Sequence, residues 1–280
     1  MTKTVGLSLG GGGAKGLAHI AILEALDEMG VEISAISGTS IGAIIGTLYA
    51  SGLTGKEIRD AVDSLLTMPG SLKEAWAAKR TFGWLEFLSL DLKRSHLLHV
   101  DPLVSEVEAL LSVHLIEDLK IPMKIVAADF WNRIEVVLES GAIIPAVRAS
   151  FCLPGIFEPV IIGGQVLVDG GCVNPIPFDL LRDQCDIVVA VDVLGRRVPS
   201  GSALPNFSEA LFNTFQIAEK SIVVQKMNSH PPDIYIEPDI TDVKVLEFQK
   251  ASQIYRETEP ECERLQVELK RLLSDGDGPG

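Results

Sequence analysis

The first fifty residues constrain the fold most. An apolar run at 4–9 leads into four consecutive glycines, Gly10, Gly11, Gly12 and Gly13, and then into Leu17, Ile20, Ala21, Leu23 and Leu26 at helical spacing. This predicts a helix over residues 15–29, stopped by Gly30. A second strand pattern, 32–37, meets the pentapeptide GTSIG at 38–42, and residues 41–51 read as another apolar helix. Strand, loop, helix, strand, sharp turn, helix implies a parallel sheet, because parallel neighbours need a crossover connection. The expected class is α/β, with three layers and a mainly parallel central sheet between helices.

The same alternation continues. Thr54 and Glu57 have the spacing of a capping box for a helix ending near residue 66. Residues 68–99 mix Pro69, Gly70 and Gly83 with Trp76, Trp84, Phe82 and Phe87, and read as a candidate lid or substrate-facing cap. Asp101-Pro102 suits a helix start. Strands are expected at 122–128 and 134–138 with a turn near Asn132, then a helix at 143–150. A strand at 166–168 leads into Asp169-Gly170-Gly171, with a core strand at 186–191. Beyond it come a helix at 207–227, a strand at 233–236, an amphipathic helix at 245–273 and a frayed tail at 274–280. Without an internal linker, residues 1–273 read as a single domain.

Composition narrows the function classes. At 47% apolar and 22% charged over 280 residues, the chain is globular. A net charge of −14 argues against nucleic acid as a partner, since phosphate neutralisation needs clustered cations, and against tight adhesion to an anionic bilayer. The pairs Lys79-Arg80, Lys93-Arg94 and Arg196-Arg197 leave room for transient headgroup contact at a membrane surface. The apolar stretches at 41–50 and 187–191 fall short of the roughly 20 residues a spanning helix needs. The amino terminus runs directly into a strand pattern, which gives a cytoplasmic expectation. Cys152, Cys172, Cys185 and Cys262 form no CxxC pair, so they read as buried reduced thiols, with no metal expected.

The chemistry concentrates at Ser40. A nucleophilic serine must stand clear of the backbone and have its proton removed. A GxSxG turn between strand and helix meets the first need, with Gly38 and Gly42 making room around the serine. The plainer reading is a turn in which Ser40 only caps the helix. The side-chain-free loop of Gly10, Gly11, Gly12 and Gly13 suits backbone donation to an oxyanion. Gly11, Gly13 and Gly16 also fit the dinucleotide fingerprint, but the second strand ends without the acid that reading requires. A phosphate-binding loop would need Ser or Thr after Lys15, where Gly16 stands. The base is less evident. His19 lies inside the first helix, and His96, His99, His114 and His230 lie in or beside peripheral segments. Asp169, at a strand end before Gly170 and Gly171, is the best carboxylate candidate; its bland reading is a type I′ hairpin turn.

GGGGAKGLAHI at 10–20, GTSIGAIIGTLYASG at 38–52 and VDGGCVNPIP at 168–177 together resemble the patatin-like phospholipases, with RASFCLPGIFEPV at 148–160 a fourth similar stretch. The resemblance extends from Val5 to about Val193 and looks like the bacterial, neuropathy-target-esterase-like branch. It implies a serine–aspartate dyad of Ser40 and Asp169, with no histidine required. It also implies an oxyanion hole carried by Gly11, Gly12 and Gly13, with Gly10 supporting, and no cofactor. Lys15 stands where the family commonly has arginine, so charge is kept and bidentate geometry is not. The implied substrate is a phospholipid or lysophospholipid ester. The alternatives from other classes are a lipid-binding regulatory protein on the same scaffold and a nucleotide-binding protein.

Overall fold

A computed structural model describes residues 3–67, 101–154, 156–195, 204 and 207–274. The candidate cap at 68–99 and all three basic pairs lie outside the described residues.

Among the described residues eight strands make one sheet: β1 Val5–Leu9, β2 Ile33–Thr39, β3 Met123–Asp129, β4 Ile134–Leu138, β5 Val160–Ile162, β6 Gln165–Asp169, β7 Ile187–Val191 and β8 Ile234–Ile236. β8, β7, β1, β2 and β3 lie side by side, all parallel. β4 and β6 are antiparallel to β3, and β5 is antiparallel to β6. The sheet is therefore mixed but mainly parallel, as the sequence pattern predicts. The chain winds one way from β1 to β2 and β3, and the other way to β7 and β8. The loop after β1 thus sits at the switch point, where open α/β sheets bind ligands outside the carboxyl ends of their strands.

Both faces of the sheet are covered, and strand alternation divides them. Val5, Leu7 and Leu9 of β1, with Val189 and Val191 of β7, enter one large core. The helices on it are α1 Ala18–Met29, α2 Ile41–Ala50, α5 Ile143–Phe151 and α7 Ala251–Ser274. α3 Gly55–Thr67 and α4 Asp101–Leu110 complete that layer. Leu7 and Leu9 are fully buried, a gain of about 1.5–3 kcal/mol for each such side chain. The alternate positions Val188 and Ala190 meet a smaller core. There Phe178 and Leu181 of a 3-10 turn pack with Val223 of α6 Phe207–Ser229. Thr54 caps α3 as expected: its hydroxyl accepts the Glu57 N–H, and Glu57 accepts the Thr54 N–H.

Local differences from the sequence reading have tertiary causes. Residues Gly13–Leu17 form a 3-10 turn, and α1 starts only at Ala18; the Ala14 N–H in that turn donates to the Val245 carbonyl. β2 continues to Thr39, since Gly38 and Thr39 find partners on β3. The last helix begins at Ala251, after a 3-10 turn at Phe248–Lys250, because Val245 is drawn over the glycine loop instead. It includes Ser274, where a tail was expected. Asp169-Gly170-Gly171 is not a hairpin turn: Asp169 caps a 3-10 turn, Gly170–Cys172. Of the four free thiols, Cys152 is buried, but Cys172 is exposed because that turn directs its two glycines inward instead.

Candidate active site

The site is created by a handover along one edge of β3. Residues Ile125 to Asp129 all pair with β4, which occupies one edge. On the other edge β2 takes Met123 to Val126, and β6 takes Ala127 to Asp129. β2 and β6 run in opposite directions, so their carboxyl ends meet: Thr39 stands opposite Val126, and Asp169 opposite Ala127. Ser40 is the next residue after Thr39. Although 129 positions separate them in sequence, the Ser40 hydroxyl donates to Asp169 Oδ2 at 2.7 Å.

Ser40 is held in a backbone conformation that a side chain rarely adopts, φ 56° and ψ −121°. Such strain costs on the order of 1–3 kcal/mol and persists only where the surroundings over-determine it. Here they do. The Ser40 N–H donates to Ser150 Oγ at 2.9 Å, and its carbonyl accepts from Ala43 and Ile44 of α2. A Cβ on Gly42 would lie 2.1 Å from the Leu9 carbonyl oxygen, so only glycine lets α2 approach β1 this closely. Ser40 makes no side-chain cap for α2; its hydroxyl is given to Asp169.

Asp169 is buried on both sides of its carboxylate. Oδ2 accepts from Ser40, and Oδ1 accepts the Gly171 N–H at 2.7 Å. Burial pushes the carboxyl up to about 6, against the lowering effect of those two donors. At neutral pH it is therefore an anion in contact with a serine hydroxyl, and only modestly acidic.

The glycine loop is divided in its use of N–H groups. Gly10 donates to Val191 O at 3.0 Å, and Gly11 to Pro175 O at 2.9 Å. Among the described residues no intramolecular acceptor meets the N–H of Gly12 or Gly13. Gly13 has φ +60°, and a Cβ there would fall 2.3 Å from the Val245 carbonyl oxygen. His19 lies beneath the loop, fully buried, with Nε2 2.8 Å from the Gly10 carbonyl. Burial lowers its pKa to about 4, so it is neutral and fastens the loop rather than reaching Ser40. Lys15 lies outside the residues that line the cleft around Ser40. It is 2% exposed, and its ammonium donates to the Leu194 carbonyl at 2.5 Å.

Ser40, Asp169, Gly11, Gly12 and Gly13 line one cleft of about 650 Å³, part of it open to solvent. Its walls are largely apolar: Phe151 at the end of α5, Leu153 and Phe157 after it, Phe212 and Phe215 on α6, and Phe248 before α7. Among the described lining residues there is no Lys, Arg or His. Two residues here escape the sequence reading. Ser150 sits in a recognised stretch, but its bond to Ser40 depends on how α5 lies over β3. Glu219 shares a helical face with Phe212 and Phe215, and a carboxylate on an otherwise apolar stripe was the available signal.

The chain is similar to known proteins. The description "Patatin-like phospholipase" matches residues 7–182. An uncharacterized NTE family protein of Mycobacterium tuberculosis is 31% identical over 211 residues, covering 75% of this chain and 54% of its own. The lysophospholipase NTE1 of Kluyveromyces lactis is 30% identical over 278 residues, covering 91% of this chain and 18% of its own. The chain thus spans about half or less of the length of these relatives. Among solved structures, VipD from Legionella pneumophila aligns with a TM-score of 0.46 at 15% identity, covering 94% of this chain and 67% of its own.

Proposed function

This chain belongs to the patatin-like phospholipase family, and on that footing we propose that it is a serine-dependent lipid acyl hydrolase. Its substrates are carboxylic esters of phospholipids or lysophospholipids. The observation that carries the reading is the 2.7 Å bond from a strained Ser40 to a buried Asp169, in an apolar cleft beside two unpaired glycine N–H groups.

The chemistry follows from those positions. Asp169 accepts the Ser40 proton as Oγ attacks the ester carbonyl carbon. The carbonyl oxygen becomes an anion, received by the N–H groups of Gly12 and Gly13; one such donor is typically worth about 2.7–4 kcal/mol. Gly11 shapes the loop, and its own N–H is engaged by Pro175. The tetrahedral species collapses, the C–O bond to the alcohol breaks, and Asp169 returns the proton to the departing oxygen. Water, deprotonated in turn by Asp169, releases the acyl group from Ser40. Phe151, Leu153 and Phe157 offer the acyl chain a dry wall. Among the described residues, no helix is long and apolar enough to cross a membrane.

Labelling with a fluorophosphonate probe, followed by peptide mapping, tests this. The probe is expected on Ser40 and nowhere else. Labelling of a different serine, or ester hydrolysis that survives Ser40→Ala, removes the reading.

A further inference from the structure

Among the described residues, Glu219 is the one carboxyl lining the cleft that the mechanism leaves unused. It is 6% exposed, carried on the cleft-facing side of α6 with Phe212, Phe215 and Gln216. A buried carboxyl normally finds a cation or several donors. This one has neither: among the described residues no hydrogen bond or ion pair reaches it. The two lysines flanking it on the helix are committed elsewhere. Lys220 pairs with Asp192 and Glu237, and Lys226 binds Asn174 and Asp179.

Its position is tied to the reaction centre. A Cβ on Gly171 would fall 2.2 Å from Glu219 Oε1 and 3.1 Å from Asp169 Oδ1. The missing side chain of Gly171 is therefore the space in which this carboxyl sits, beside the residue that donates to the proposed base. Burial, and after it the nearby Asp169 and Asp192, push the Glu219 carboxyl well above the usual carboxylate range. Its protonated form offers one O–H donor and a carbonyl acceptor. With no cationic side chain on the described wall, this part of the cleft suits a neutral polar group.

Resting on the hydrolase reading above, we propose that Glu219 is a specificity-determining residue whose carboxyl exchanges hydrogen bonds with a free hydroxyl on the alcohol half of the ester. The favoured substrate class is then a partial acyl ester of a polyol. An ester of a plain alcohol, or a polyol with its neighbouring hydroxyl also acylated, leaves the buried carboxyl unpaired. A site built to bond a hydroxyl discriminates strongly against an analogue that lacks it.

The test compares kcat/KM for monobutanoylglycerol and propyl butanoate, two soluble esters with the same acyl group. The whole chain is expected to prefer the hydroxyl-bearing ester by roughly ten- to one-hundred-fold, the range an unpaired buried polar group implies. In Glu219→Leu the ratio is expected to fall to near one. In Glu219→Gln, whose amide also donates and accepts, it is expected to lie between the two, which supplies a reading if the leucine variant does not fold. The read-out is a ratio, so a general loss of activity or fold does not move it. A wild-type ratio near one, or a wild-type ratio kept in Glu219→Leu, overturns the proposal while leaving the Ser40 reading intact. Hydrolysis of neither ester, with Ser40 unlabelled, overturns both.

Discussion

Ser150 stands behind Ser40 and holds it by the backbone: its hydroxyl accepts the Ser40 N–H at 2.9 Å and donates to the Val126 carbonyl at 2.5 Å. Val126 is the last β3 residue paired with β2 before β6 takes over the edge. One hydroxyl therefore joins the turn at Ser40 to the seam between the two strands. Ser150→Ala leaves a donor and an acceptor buried without partners, each a loss of about 1–3 kcal/mol. The variant is expected to unfold at lower denaturant concentration. It is also expected to lose kcat more than KM, measured by ester hydrolysis under conditions where it stays folded.

Replacing Ser40 with alanine is expected to abolish fluorophosphonate labelling and lower ester hydrolysis by at least about a thousand-fold, the scale seen when a covalent nucleophile is removed. Circular dichroism should remain unchanged, because alanine keeps the turn's backbone hydrogen bonds and loses only the bond to Asp169. Undiminished turnover would move the nucleophile elsewhere.

Asp169→Asn separates activity from stability. A carboxyl whose folded value is raised from 3.8 to about 6 stabilises the fold below its unfolded value, and that contribution is lost as pH rises through 6. Ionised Asp169 is therefore a net cost above pH 6, up to about 3 kcal/mol. The asparagine variant is expected to be nearly inactive yet to melt higher than wild type at pH 8, with the advantage fading towards pH 4. A lower melting temperature at pH 8 contradicts this account.

The same carboxyl sets the pH dependence of catalysis. Proton acceptance needs the ionised form, so kcat/KM on a neutral ester is expected to rise with pH to a plateau, with a midpoint near 6. A profile that is flat from pH 5 to 8 points to another base.

Within the glycine loop the predictions diverge by residue. Gly12→Ala and Gly13→Ala bring a Cβ to 2.5 Å from the Val193 carbonyl oxygen and 2.3 Å from that of Val245, displacing the two unpaired N–H groups. A fall in kcat on the order of a hundred- to a thousand-fold is expected. In Gly11→Ala the added carbon meets nothing closer than 3.4 Å, and its N–H is already bonded to Pro175. Its effect on kcat is expected to be clearly smaller. Equal losses at all three positions would count against the assignment of donors to Gly12 and Gly13.

Much of this arrangement is legible in the sequence, because the signals are local. Residues 4–9 and 32–37 have the apolar pattern of strands, Gly30 takes the left-handed conformation of a helix stop, and GTSIG lies between strand and helix. What escapes depends on partners distant along the chain. The pattern at 15–29 cannot tell a 3-10 start from an α-helix, because apolar spacing over one turn is nearly the same in both. Four glycines in a row look equivalent until Val191 and Pro175 claim two of their N–H groups. Cys172 looks like any other core thiol until the 3-10 turn places it outward. Glu219 is an ordinary helix residue until α6 lies over Gly171.

The pairing of β6 with β3 acts as a ruler for the chemistry. Three residue pairs, Ala127 with Asp169, Ala128 with Val168 and Asp129 with Leu167, fix where the carboxylate arrives. A slip of one residue would move it about 3.3 Å along the edge and turn it to the opposite face of the sheet. The distance between the two reacting groups is thus set less by either residue than by the register of β6 on β3. A one-residue insertion or deletion within β6, between Leu167 and Asp169, would disarm the site while Ser40 and Asp169 both remain in the chain.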